Sequence, residues 1–342
     1  MGKVLCFGEI LMRMSPDTDS KWLQQNALPV FIGGAELNVA SALASWKIPV
    51  AYSTAMPSNY LSQQLLQYVS EKNIDTSPVH FSGERIGTYY LPQGAELKNA
   101  GVIYDRAYSS FAELKPRMID WDKVLDGISW FHFSAICPAV SQGAADVCKE
   151  ALQAASAKNI TISIDLNYRA KLWQFGKRPI EIVPDLVQYC DVVMGNVWAA
   201  KEMLGISMDP ELAVKDNKKL YQQQALSSSV EIMKKFPKCK AVANTWRFDH
   251  KGILYYTNLY AGEKLYLSPE YKTDHVIDKI GSGDCFMAGL IYGYYQKYDP
   301  QQILDFATAA AFQKLFIKGD ATNTTAEEVI AYSKTSALVM KG

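Results

Sequence analysis

Apolar, strand-like runs alternate with helix-patterned stretches along this chain: KVLCFGEI, then NVASALASWK; ISWFHFSAI, then GAADVCKEALQAASAK; ITISIDLN and CDVVMGN, then WAAKEMLG. Near-continuous apolar strands belong to a sheet buried on both faces, and the helices between them are what bury it. The expected fold class is therefore α/β, with a central, mostly parallel sheet flanked by helices. With 342 residues, 49% of them apolar, the chain can bury a large core without disulfide or metal, and one unit over 1–342 is expected. Two stretches interrupt the alternation. Residues 12–33 and 83–108 are rich in glycine, tyrosine and alternating polar positions, and they read as strands of a small β-sheet lid standing off the main sheet. Residues 207–230, polar and rich in Gln and Ser, read as a surface helical insertion.

Charge and cysteine usage exclude several function classes. Lysine plus arginine equals aspartate plus glutamate at 35 each, so no general field draws the chain to nucleic acid or to a membrane surface. A small-molecule partner is expected. The six cysteines show no C-x-x-C spacing, which argues against a zinc site or a redox dithiol and for small buried hydrophobes. No stretch approaches the roughly 20 apolar residues of a membrane span, and the expected compartment is the cytoplasm.

The segment DKIGSGDCFMAG, residues 278–289, sets an aspartate behind two glycines at the start of a helix-patterned run. Asp284 there is either a plain helix cap or a proton acceptor. In the second reading the amides of Gly281, Ser282 and Gly283 face an anion at the positive end of a helix dipole. That pairing suits phosphoryl transfer to an alcohol, which needs donors around the phosphoryl group and an acceptor hydroxyl held in line. Upstream, FIGGAELNVASALASW (31–46) places Gly33 and Gly34 ahead of Asn38. Glycines let a substrate approach the backbone, and an asparagine both donates to and accepts from hydroxyls; the alternative is a tight turn with Asn38 facing solvent.

Together, and in this order, the two elements resemble the signatures of the ribokinase-like (PfkB) carbohydrate kinases, and the resemblance runs from CFGEI nearly to the end of the chain. It implies a ribokinase-like fold, ATP and Mg2+, sugar binding by the diglycine–asparagine element, Asp284 as catalytic base and 281–283 as anion hole. Asn196, in NVWA, matches the family's N-x-x-E element and with Gly281 and Gly283 is expected at the nucleotide; no residue is expected to form a dedicated metal cage. The segments GTYYL, VIYDR and DLNYRAKLW are similar to those with which 2-keto-3-deoxygluconate kinases hold their substrate. Carried over, Tyr90, Tyr104, Arg106 and Arg169 become substrate contacts, with Tyr89 competing with Tyr90 because adjacent strand residues face opposite ways. Two arginines suit a carboxylate, which guanidinium groups grip in a planar, bidentate way; surface ion pairs are the other reading.

The chain departs from the family's pattern at several points. Lys279 replaces the usual threonine: it either adds a cation near the phosphates or, as expected, points to solvent, and the replacement puts monovalent-cation binding in that loop in question. Ala199 replaces the glutamate of N-x-x-E, and Glu202 does not align with it. In place of the usual glycine-rich nucleotide turn stands ANTWRFDHKGILYY, where Trp246 or Arg247 could lie along the nucleotide and Gly252 marks the turn. Cys285 reads as a small buried residue. The expectation is ATP-dependent phosphorylation of 2-keto-3-deoxygluconate at its terminal hydroxyl, in a homo-oligomer, a dimer through the lid. The alternatives are a kinase for a neutral sugar such as fructose or ribose, and a sugar-binding protein without turnover.

Overall fold

A computed structural model describes residues 2–16, 22, 26–92, 101–213, 217–249 and 252–339. Its strands are β1 (Lys3–Phe7), β2 (Leu11–Met14), β3 (Val30–Gly33), β4 (Val50–Ser53), β5 (Ala55–Met56), β6 (His80–Phe81), β7 (Gly87–Tyr90), β8 (Ile103–Asp105), β9 (Ile128–Ser134), β10 (Thr161–Asp165), β11 (Val192–Gly195), β12 (Ala241–Asp249), β13 (Ile253–Ala261), β14 (Lys264–Leu267) and β15 (Tyr271–Thr273). The main sheet runs β14-β13-β12-β11-β10-β9-β1-β4, with β15 also on β13. Its six strands from β12 to β4 pair in parallel, whereas β13 pairs antiparallel with β12, β14 and β15. This is the mostly parallel α/β sheet that the sequence leads one to expect. The alternating pattern foretold the parallel strands because each is buried on both faces, and the antiparallel edge escaped it because a hairpin carries no intervening helix.

Strand alternation divides the core between the two faces of the sheet. On β1, Val4 and Cys6 join the layer of α1 (Ala35–Ser45), α8 (Ser282–Tyr295) and α9 (Pro300–Lys314). Leu5 and Phe7 join Phe131, Phe133, Ile162 and Ile164 under α4 (Gln142–Ala157), α5 (Pro179–Val187) and α6 (Val197–Leu204). Helix starts follow local chemistry. The Ser141 side chain accepts from Ala144 N, and Asn196 accepts from Ala199 N at 2.8 Å. Asp299 and Gln302 form a capping box ahead of Pro300 on α9. All six cysteines are buried free thiols.

A second sheet, β3-β2-β7-β8, is built from the two stretches that broke the alternation. Parts of those stretches, 17–21, 23–25 and 93–100, lie outside the described residues. The polar segment at 207–230 is not a purely surface insertion. Most of it is α7 (Lys218–Lys235), whose Tyr221, Gln224, Ala225, Ser228, Ser229 and Ile232 are buried. Its Gln and Ser are satisfied inside: Gln224 donates to the Ser207 carbonyl and to Ser228 Oγ, and Ser229 donates to the Ala225 carbonyl.

Candidate active site

The carboxyl ends of the parallel strands open onto one cavity of about 180 Å³, closed on its far side by the small sheet. That is where ligands settle in an open α/β sheet, because loops and helix N-termini converge there. Glu9 follows β1, Asp165 ends β10 and Asn196 follows β11. The small sheet supplies Tyr89, Tyr104 and Arg106, and Arg169 enters beyond β10. A neighbouring pocket of about 430 Å³ shares Tyr104, Tyr168, Arg169, Asn196 and Ala199, and adds Lys171 and Trp198.

The two glycine elements meet here. Gly281 is the N-cap of α8 with φ 77°, a left-handed conformation, and a Cβ on it would collide with the Asp320 carbonyl oxygen. Gly281, Ser282 and Gly283 therefore bring the open end of α8 to the cavity wall, and Asp284 lies in the first helical turn. At the other glycine element, Gly34 lines the cavity with φ 129°, where a side chain would strike the Glu9 carbonyl. Asn38, one turn into α1, donates from Nδ2 to Asp284 Oδ2 at 2.7 Å, while its Oδ1 is buried without a protein partner. Asn38 thus faces the aspartate rather than solvent, and it retains an acceptor beside it.

Asp284 is half-buried, and desolvation pushes its pKa up to about 7; the Asp165 and Asp320 charges add to the rise, while the Asn38 hydrogen bond and the Arg169 cation pull it down. A carboxylate titrating near neutrality is matched to general-base work. The expected result is a kcat/KM that falls about tenfold per pH unit below about 7, as the base takes up its proton. In Arg169→Met the limb should move to higher pH, because the cation that favours ionised Asp284 is gone. A pH–rate profile flat from 5 to 8 would contradict this.

Several expected positions are revised. Tyr89, not Tyr90, faces the cavity; its hydroxyl donates to Asp320 at 2.8 Å, whereas the Tyr90 ring lies on the opposite face of β7, against Trp22. Gly33 is not in the cavity wall, and it is glycine because a Cβ would meet the Asp320 carboxylate. Lys279 does not point to solvent: it lines the cavity, and its ammonium donates to Asp249 Oδ1 at 3.2 Å. Trp246 does not reach the cavity, being 1% exposed among Tyr221 and Tyr256, while Arg247 on the other face of β12 does. Gly252, at φ 106°, follows the β12–β13 hairpin's first strand as expected for a turn. Arg106 lines the cavity but is already bound to the buried Glu9, Nε to Oε2 at 2.6 Å. Among the described residues no carboxylate pairs with Arg169, whose Nη1 donates to the Tyr168 carbonyl.

Glu9 and Asp165 escaped selection although both stand in quoted segments, CFGEI and DLNYR; their place at the ends of parallel strands was the available signal. Glu36 escaped as well. It lies fully buried between Ser134 and Cys137, with burial raising its pKa.

The pfkB family carbohydrate kinase profile matches residues 1–236 and 240–326. The chain belongs to that family. A crystal structure of 2-dehydro-3-deoxygluconokinase from Thermotoga maritima superposes with a TM-score of 0.88 at 32% identity, covering 97% of this chain and 98% of that one. A PfkB family carbohydrate kinase from Listeria grayi gives a TM-score of 0.84 at 29% identity, over 97% and 99% of the two chains. By sequence, the 2-dehydro-3-deoxygalactonokinase of Haloferax volcanii is 26% identical over 328 residues, 96% of this chain and 95% of that protein. The PfkB kinase is thus an enzyme that takes a sugar and ATP as substrates. Among the described residues no helix is long and apolar enough to cross a membrane.

Proposed function

We propose that this PfkB kinase phosphorylates 2-keto-3-deoxygluconate at its terminal hydroxyl, consuming ATP. The observation that carries the reading is that Arg169, which pairs with no carboxylate among the described residues, lines the same cavity as Asp284, so a base and a carboxylate-binding cation face one acceptor. With Arg106 neutralised by Glu9, Arg169 is the main grip on the substrate carboxylate, and Tyr104 and Gly34 line the same cavity. The relatives named for gluconate and galactonate derivatives support an acid sugar.

In the proposed reaction Asn38 orients the acceptor hydroxyl against Asp284. Asp284 takes its proton as the oxygen attacks the γ-phosphorus of ATP, and the bond to the β,γ-bridging oxygen breaks to release ADP. The amides at 281–283 receive the charge on the transferring phosphoryl group. The donors suit a Mg2+ that arrives with ATP and keeps most of its waters: the Asn196 amide and the Asp165 carboxylate line the wall, and among the described residues no group of three metal-binding side chains is assembled. Mg2+ supplies charge neutralisation on the phosphates.

The test is ADP release with 2-keto-3-deoxygluconate, its galactonate epimer, fructose, ribose and no acceptor, for the wild type and Arg169→Ala. The acid sugar should be preferred, and, measured at about pH 9, above the Asp284 limb of both proteins, the substitution should cost about 2–3 kcal/mol of its kcat/KM, about 30- to 150-fold, while leaving neutral sugars unchanged. Preference for fructose or ribose would overturn the substrate, and ligand binding without ADP release would overturn turnover itself. We also propose that a second copy covers the small sheet, whose edge strands expose Val30 and Ile103; sedimentation showing only monomers would refute it.

A further inference from the structure

One buried charge has no part in the chemistry above. Lys314, the last residue of α9, is 0% exposed, and its Nζ donates to the Ile317 carbonyl at 3.0 Å. An ammonium taken fully out of water needs compensation: burial, the largest effect, lowers the Lys314 pKa, with Arg13 adding to the fall, while the carboxylates of Asp278 and Asp320 favour the charge. Its stem runs directly under the glycine loop: Lys314 Cε lies 3.5 Å from the point where a Cβ on Gly281 would sit.

The loop is tied to the segment that follows Lys314. The Leu315 carbonyl accepts from Ile277 N at 2.8 Å and Asp278 N at 3.2 Å. Asp278 in turn accepts from Ile280 N at 3.0 Å and Gly319 N at 3.3 Å. Arg13 Nη2 donates to Asp278 Oδ2 at 2.9 Å and lies 2.7 Å from Asp320 Oδ1. Two cations and two carboxylates thus balance beneath amides that must receive an anion. Hydrogen bonds alone could fold the loop; a cation there adds positive potential where phosphoryl charge arrives.

We propose that Lys314 is a positioning residue for phosphoryl transfer, a built-in cation beneath the 281–283 loop that holds its amides toward the phosphoryl group and frees turnover from any monovalent cation in solution. This rests on the reading of 281–283 as the anion hole. ADP release with the acid sugar is measured in potassium and in choline buffers for the wild type, Lys314→Met and Lys314→Ala, with circular dichroism to verify folding. The wild type should be unchanged by the exchange. Lys314→Met should lose at least about tenfold in kcat with little change in the sugar's KM, and Lys314→Ala should lose as much but recover several-fold with ammonium or methylammonium, which a packing role would not allow. With an active wild type, three results would each sink this inference alone: several-fold dependence of the wild type on potassium, Lys314→Met within twofold of normal kcat, or an inactive Lys314→Ala that amines do not restore. If Lys314→Met fails to fold, the wild-type exchange and amine rescue of Lys314→Ala still decide. Absence of ADP release by the wild type with every acceptor would instead sink the kinase reading beneath it.

Discussion

Asp284→Asn should lower turnover by at least about 100-fold and at the same time stabilise the fold at alkaline pH. The loss follows from the role of a base: the amide keeps the shape of the carboxylate and accepts no proton from the sugar hydroxyl. The gain follows from linkage. The folded-state pKa of Asp284 is pushed up to about 7 from an ordinary 3.8, chiefly by burial, so between those values the folded protein holds a proton that the unfolded chain has released. Stability contributed by this group therefore falls as pH rises through the window, and above about 7 the whole cost of the buried charge is present. At roughly 1.4 kcal/mol per pH unit that cost is at most about 4 kcal/mol. The asparagine amide must settle beside Asn38, so a net gain of about 1–3 kcal/mol is expected at pH 8, shrinking as pH falls toward 4. ADP release and thermal unfolding of both proteins at pH 8 and pH 5 check the two halves. Near-normal turnover removes Asp284 as the base, and a variant less stable than wild type at pH 8 removes the buried-charge account.

The fold was legible where burial acts on both faces of an element. Strands β1, β9, β10 and β11 were readable because each is a short apolar run followed by a helical period, and the glycines at 34 and 281 were readable because a left-handed backbone and a close carbonyl exclude any side chain. Facing within a strand was harder. Nothing local separates Tyr89 from Tyr90; the partner that selects Tyr89 is Asp320, which is 231 residues away in sequence. Lys279 was misplaced for the same reason, because Asp249, which draws it in, lies 30 residues away in sequence, at the end of β12. Trp246 and Arg247 show the converse: strand alternation assigns them to opposite faces, but which face is wet depends on α7 covering the Trp246 side.

Charge networks were the least legible layer, since a sequence prints charges without their distances. Arg13 stands in a strand of the small sheet and invites no comment there, yet it is fully buried, with its guanidinium 4.3 Å from the centre of the Phe31 ring and two aspartates from the far end of the chain against it. Arg13→Met is expected to cost about 3–5 kcal/mol of stability, because removing one partner of a buried ion pair leaves uncompensated charge. The loss should depend on pH in a way that a packing defect would not. With Arg13 gone, Asp278 and Asp320 share only the Lys314 ammonium, and the pKa of Asp320, already raised by burial and by the Asp278 charge, rises further once the Arg13 cation no longer opposes them. Protonation then relieves the excess charge at low pH, so the destabilisation should be larger at pH 8 than at pH 5. Adding Asp320→Asn to Arg13→Met should restore part of the loss at pH 8, since the double variant again balances one cation with one carboxylate. Urea unfolding of the three proteins at both pH values decides it. A loss below about 1 kcal/mol, or one equal at the two pH values and untouched by the second substitution, would mean that Arg13 holds its place by packing and not by charge.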